Sequence, residues 1–231
     1  MGHFIELKAA DGTAFAAYVA QPAAKPRGAV VVLQEIFGVN AHIRAVADGY
    51  AADGYLAVAP ATFDRVQRNV DLGYTPEDIQ AGAALKAEVE ALPAPGVLQD
   101  IQAAIDHAAK ASDGGKVGIV GYCYGGLLSW RAACELRGLS AAAPYYGGGT
   151  TTIPAEVARS PKVPVLAHYG DRDKHIPVDT VQAFSQAHPE VTVHVYEADH
   201  GFNCDQRGSY DAPAARLARE RTLAFFNQHL G

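Results

Sequence analysis

No two lysines or arginines are adjacent anywhere in this chain, and acids outnumber bases 25 to 19, for a formal net charge of −6. A phosphate backbone is gripped by clustered cations, so nucleic acid is not an expected partner. Long hydrophobic runs are also missing: none approaches the ~20 residues that a membrane span needs. The first ten residues alternate, carry Glu6 and Lys8 and hold no apolar stretch, so no signal peptide is expected. Cysteines number three in 231 residues, an odd count that makes no disulfide framework. These absences together lead to an expectation of cytoplasmic residence. Neither H-E-x-x-H nor C-x-x-C spacing occurs, so no metal is expected, and nothing indicates a cofactor.

Apolar residues, in contrast, make up 49% of the chain and charged residues 19%, enough for one large buried core. The chain starts with a hairpin pattern, Phe4 to Lys8 and Phe15 to Val19 about an Asp11-Gly12 turn. From Gly28 to Leu33 the pattern changes to a continuous apolar run, as in a strand buried on both faces of a parallel sheet. Similar runs recur at 55–59, 117–120, 139–143, 163–167 and 191–196. Helical spacing separates them at 42–52, 76–89, 98–108, 127–136, 178–187 and 214–229, with Thr75 and Pro76 as an N-cap and first turn. The prediction is one α/β domain over residues 1–231: a mostly parallel central sheet, an antiparallel N-terminal hairpin and helices on both faces. Chemistry in such sheets gathers beyond the carboxyl ends of the strands.

One such end reads Gly121-Tyr122-Cys123-Tyr124-Gly125-Gly126, the G-x-S-x-G turn with cysteine in place of serine. Glycines two residues either side of the apex let strand and helix backbones meet where a Cβ would not fit. A thiol nucleophile needs a base, and the base needs an orienting acid. Both stand at later strand ends: Gly170-Asp171-Arg172-Asp173 and Asp199-His200-Gly201-Phe202. From the pattern alone the acid is Asp171 or Asp173, since either also suits a turn. His168 and His175 are weaker candidates for the base, the other histidines read as bystanders, and Cys134 reads as a buried apolar residue. An oxyanion needs two N–H donors; one is expected from Tyr124 and the other from the loop Gln34 to Asn40. Glu35 in that loop also has a plain reading as a capping or solvated acid.

Gln34-Glu35-Ile36-Phe37-Gly38-Val39-Asn40, the Gly121 to Gly126 elbow, Gly170-x-x-Asp173-x-x-x-Pro177 and Glu197-x-x-His200-x-Phe202 together resemble the dienelactone hydrolases. These are carboxymethylenebutenolidases of the α/β-hydrolase fold, and the resemblance runs from about Val30 to the C-terminal helix. It implies a Cys123–His200–Asp173 triad, with Asp173 chosen over Asp171 by its distance from Pro177. It also implies oxyanion donors at Ile36 and Tyr124, and a Glu35 that influences the resting thiol and gives way to substrate. The activity implied is hydrolysis of a lactone or activated ester, with a small molecule as the substrate and a monomer or small homo-oligomer as the assembly. Alternatives are hydrolysis of another carboxylic ester or thioester, or a thiol sensor on the same fold.

The chain departs from the family where substrate carboxylates are held. Cys204 stands where an arginine is expected four residues after His200, with Arg207 the next arginine. The helix before the elbow offers only Lys86. Arg65 and Arg68 are expected to reach the site instead, and Phe37, Tyr74, Tyr145 and Phe202 are the expected aromatic contacts.

Overall fold

The structure is a computed structural model that describes residues 2–231. Eight strands form one sheet: β1 His3–Lys8, β2 Ala14–Ala20, β3 Ala29–Leu33, β4 Leu56–Pro60, β5 Val117–Tyr122, β6 Leu139–Tyr145, β7 Val165–Gly170 and β8 Val191–Tyr196. Their spatial order is β1-β2-β4-β3-β5-β6-β7-β8. The β1–β2 hairpin is antiparallel, as the Asp11-Gly12 turn predicts, and β2 also joins β4 antiparallel. Every later pairing is parallel. β3, β4 and β5 are buried at every residue, which is why their sequences are continuously apolar rather than alternating.

Helices cover both faces: α1 Ala41–Ala52, α2 Pro76–Glu90, α3 Leu98–Ala111, α4 Tyr124–Glu135, α5 Pro154–Val157, α6 Val178–Ala187 and α7 Ala212–Leu230. α1 and α7 share one face, where Phe226 lies beside Tyr50 and Tyr55. α3 and α4 lie on the other, and Trp130 of α4 meets Phe184 of α6 edge-on. α3 is amphipathic in the predicted register, with Ile101, Ala104, Ile105 and Ala108 fully buried. Each of its isoleucines contributes roughly 1.5–3 kcal/mol through that burial. α2 starts as predicted: Thr75 and Asp78 form a reciprocal capping box, with Pro76 in the first turn. The four-residue α5 carries too little periodicity to be read from sequence. Among the described residues, no helix is long and apolar enough to cross a membrane.

Candidate active site

The elbow is a backbone construction before it is a chemical one. β5 runs into α4 through Cys123, whose φ of 55° and ψ of −112° lie outside the ordinary regions for a residue with a Cβ. Such strain costs on the order of 1–3 kcal/mol and persists only where the surroundings enforce it. The glycines show what enforces it: a Cβ on Gly121 would lie 1.9 Å from the Gly125 carbonyl oxygen, and one on Gly125 would lie 2.5 Å from that of Leu33. β3, β5 and α4 therefore converge at a distance only glycine permits. Cys123 Sγ is left half-buried at the head of α4. The N–H groups of Tyr124 and Ile36 donate to no acceptor among the described residues.

Two further strand ends meet this thiol. The loop after β7 carries Asp173, whose Oδ1 accepts from the N–H groups of His175 and Ile176 at 2.8 and 3.2 Å. Those bonds aim Oδ2 at His200 Nδ1, 2.7 Å away. His200, in the turn after β8, has the Cys123 sulfur as an electrostatic neighbour and Tyr146 packed edge-on at 5.2 Å. Burial alone would push the His200 pKa down; the Cys123 sulfur and the hydrogen bond with Asp173 outweigh it and lift it to about 10. Asp171 is exposed and faces Arg172, away from this arrangement. His168 is buried between Tyr196 and Thr222, where burial pushes its pKa down. His175 is exposed, with its ring 5.4 Å from that of His200.

Glu35 is fully buried between two donors: Arg207 Nη1 at 3.1 Å from Oε1, and the Tyr74 hydroxyl at 3.0 Å from Oε2. Burial and the Glu35 charge push the Tyr74 phenol upward, which keeps it a donor. The Arg207 guanidinium lies over Phe37 and Tyr74, 5.9 and 6.0 Å from the ring centres. It crosses directly above Gly201, where a Cβ would fall 2.6 Å from Nη1. Gly201 has a φ of +79°, so glycine serves both the turn and the guanidinium.

Several expected contacts are not at this site. Arg65 is held by Asp100 through two 2.7 Å bonds and also reaches Asp11, so its charge is spent on a buried carboxylate. Arg68 pairs with Glu6 and Asp64. Tyr145 is buried, its hydroxyl on Thr222 at 2.7 Å, because it is the last residue of β6 and faces the α7 layer. The next residue, Tyr146, has a φ of 35° and turns to His200 instead. Phe202 is fully buried against Tyr146 and Tyr196, and Phe37 is buried beneath Arg207. Both are walls behind the site rather than surfaces for a ligand. His42, read as a bystander, is buried on Tyr122 beside Glu35 and Cys204. Cys134 is buried in α4 as predicted, with its thiol pushed up to about 12 by burial. Cys204 is likewise buried, and its thiol is pushed up to about 11.

The family model described as the dienelactone hydrolase family matches residues 15–230. The chain belongs to that family. It is similar to the carboxymethylenebutenolidases of Pseudomonas putida and Pseudomonas knackmussii, each 35% identical over 96% of this chain and 94% of the relative. Among solved structures, a Klebsiella pneumoniae protein provisionally named a dienelactone hydrolase has 33% identity and a TM-score of 0.84, over 99% of this chain and 100% of that one. A dienelactone hydrolase-like promiscuous phosphotriesterase from metagenomic libraries has a TM-score of 0.74 at 22% identity, over 100% and 99%, and shares the fold. The eight-stranded sheet with its antiparallel start is thus the α/β-hydrolase fold of the dienelactone hydrolases.

Proposed function

We propose that this dienelactone hydrolase family member cleaves a lactone or activated carboxylic ester through a thioester on Cys123. The observation that carries the reading is the 2.7 Å contact between His200 Nδ1 and Asp173 Oδ2, with Cys123 at the elbow apex near enough to act electrostatically on the same ring. Asp173 orients His200 and favours its imidazolium form, so the ring is the acceptor for the Cys123 proton and sulfur becomes the nucleophile.

In the first half-reaction Cys123 Sγ bonds to the carbonyl carbon, and the carbonyl oxygen becomes an oxyanion. The free N–H groups of Ile36 and Tyr124 receive that oxygen, each supplying about 3 kcal/mol of transition-state stabilisation. Collapse breaks the carbon–oxygen ester bond, and the imidazolium of His200 protonates the departing alkoxide or enolate. In the second half-reaction neutral His200 takes a proton from water, whose oxygen displaces sulfur from the thioester. The acid leaves and the thiolate–imidazolium pair is restored.

Sulfur attacks carbonyls that carry good leaving groups in preference to ordinary alkyl esters, and the named activity of the carboxymethylenebutenolidase relatives points to a lactone. Arg207 is the cation beside Cys123, and Glu35 already compensates its charge. An anionic substrate is therefore admitted by exchange of its carboxylate for Glu35 on Arg207. The test is turnover of an enol lactone and an activated aryl ester by Cys123→Ala, with mass spectrometry of the wild type after a short pulse. A loss of at least about a thousandfold and a transient adduct on Cys123 are expected; undiminished turnover would sink the proposal.

A further inference from the structure

Two neighbouring segments and one distant in sequence bring three potential metal ligands together: Glu35 after β3, His42 in the first turn of α1, and Cys204 in the turn after β8. A carboxylate oxygen, a ring nitrogen and the thiol sulfur lie within 4.8 Å of one another, and all three residues are buried. The hydrolysis proposed above gives no task to His42 or Cys204. His42 also has an unexplained atom. Its Nδ1 lies 3.4 Å from Asp205 Oδ1, while Nε2 is buried with no partner among the described residues. An unsatisfied buried nitrogen costs roughly 1–3 kcal/mol, so a structure that keeps one needs a reason for it.

We infer that Glu35, His42 and Cys204 form a site for a borderline-soft divalent cation, of which Zn²⁺ is the representative. One imidazole, one thiolate and one carboxylate make a donor set that suits zinc and does not suit the all-oxygen shells of magnesium or calcium. A carboxylate on the far nitrogen of a ligating histidine is the usual outer partner of such a site, and Asp205 occupies that place on His42. With Nδ1 turned to Asp205, Nε2 is the nitrogen left to bind. Separations of at most 4.8 Å exceed those of a formed tetrahedral site by no more than about 1 Å, a gap that side-chain rotation closes. Binding replaces the thiol proton of Cys204, which leaves to solvent, with a sulfur–metal bond. Zn²⁺ must also share Glu35 with Tyr74 and Arg207, which hold one carboxylate oxygen each. A cavity of about 400 Å³, lined by His42, Asp205, Tyr210, Arg216 and Arg219, opens beside the cluster and gives the ion an approach.

Co²⁺ titration of the reduced, chelator-free protein tests this through the sulfur-to-cobalt charge-transfer band in the near ultraviolet, with Zn²⁺ competition giving affinity. An equimolar band is expected that persists in Cys123→Ala and vanishes in Cys204→Ser. Asp205 is exposed, so Asp205→Asn leaves folding intact, and it should weaken Zn²⁺ binding by about tenfold or more. Absence of the band overturns the inference, as does a band that survives Cys204→Ser. Loss of the band in Cys123→Ala also overturns it, because the metal then sits on Cys123 and His200. If Cys204→Ser does not fold, Asp205→Asn with unchanged Zn²⁺ affinity overturns it too.

Discussion

The Tyr124 hydroxyl donates to Glu90 at 2.7 Å, so the residue that opens α4 is tied by its side chain to the end of α2. Arg131, further along α4, grips both oxygens of the same carboxylate at 2.8 and 3.0 Å and joins it to Glu156. Burial alone would raise the Glu90 pKa, but Arg131 and Tyr124 hold it below its ordinary value, so the latch is charged. The N–H of Tyr124 is the proposed oxyanion donor. Removing the latch loosens the donor without removing it. Tyr124→Phe should lower kcat about threefold to tenfold, or roughly 1 kcal/mol, and leave KM nearly unchanged. Steady-state kinetics check the split, and an unaltered kcat would show that the elbow glycines alone hold the N–H in place.

The pH dependence follows from His200. Its pKa in the folded chain is raised from 6.5 to about 10, so the stabilisation from this group is complete below 6.5 and is lost as pH climbs through 10. Activity that needs the imidazolium should share the upper limit, with kcat/KM falling above about pH 10. Asp173→Asn keeps an oxygen for the His175 and Ile176 N–H groups but withdraws the negative charge from Nδ1. The alkaline limb of the kcat/KM profile should move to lower pH, and kcat should drop by orders of magnitude. A limb that stays in place would assign it to another group.

The parts of this molecule legible in its sequence are those fixed by local constraint. Gly121 and Gly125 mark the elbow because a Cβ at either would strike backbone, and Thr75, Pro76 and Asp78 mark the start of α2 for similarly local reasons. Asp173 and His200 are legible as polar turns after buried strands. What was hidden depends on partners far along the chain. Arg65 looks free until Asp100, 35 residues later, is folded against it. The change of side between Tyr145 and Tyr146 depends on a left-handed backbone at Tyr146, which no alternation pattern records. The Tyr-Tyr-Gly-Gly-Gly run at a strand end was the one available signal there. His42 and Cys204 carry no motif, since their proximity to Glu35 is made only by the closing of α1 and the β8 turn around it.

Arg65 therefore supports the fold rather than the substrate. Asp100 is fully buried and both its oxygens face this guanidinium at 2.7 Å. Arg65→Ala would strand that carboxylate, a loss of about 3–5 kcal/mol. Denaturant unfolding should show it directly, while KM for a lactone stays at its wild-type value in the folded fraction. A raised KM without loss of stability would return Arg65 to the site.

Glu35 and Arg207 depend on each other in the same way, but within reach of Cys123. The Glu35 side chain is 1% exposed and that of Arg207 20%, so Arg207→Gln should cost about 3 kcal/mol by leaving a buried acid unpaired. Glu35→Gln in the same chain should recover most of the loss, because the pair, and not either charge, is what the interior tolerates. Gly201→Ala reaches the pair without touching it: the new methyl would displace the guanidinium, and the left-handed φ adds roughly 1–2 kcal/mol of strain. That variant should melt a few degrees lower and raise KM for an anionic lactone more than for a neutral ester. Equal effects on the two substrates would mean that Arg207 neutralises Glu35 and does not meet the substrate.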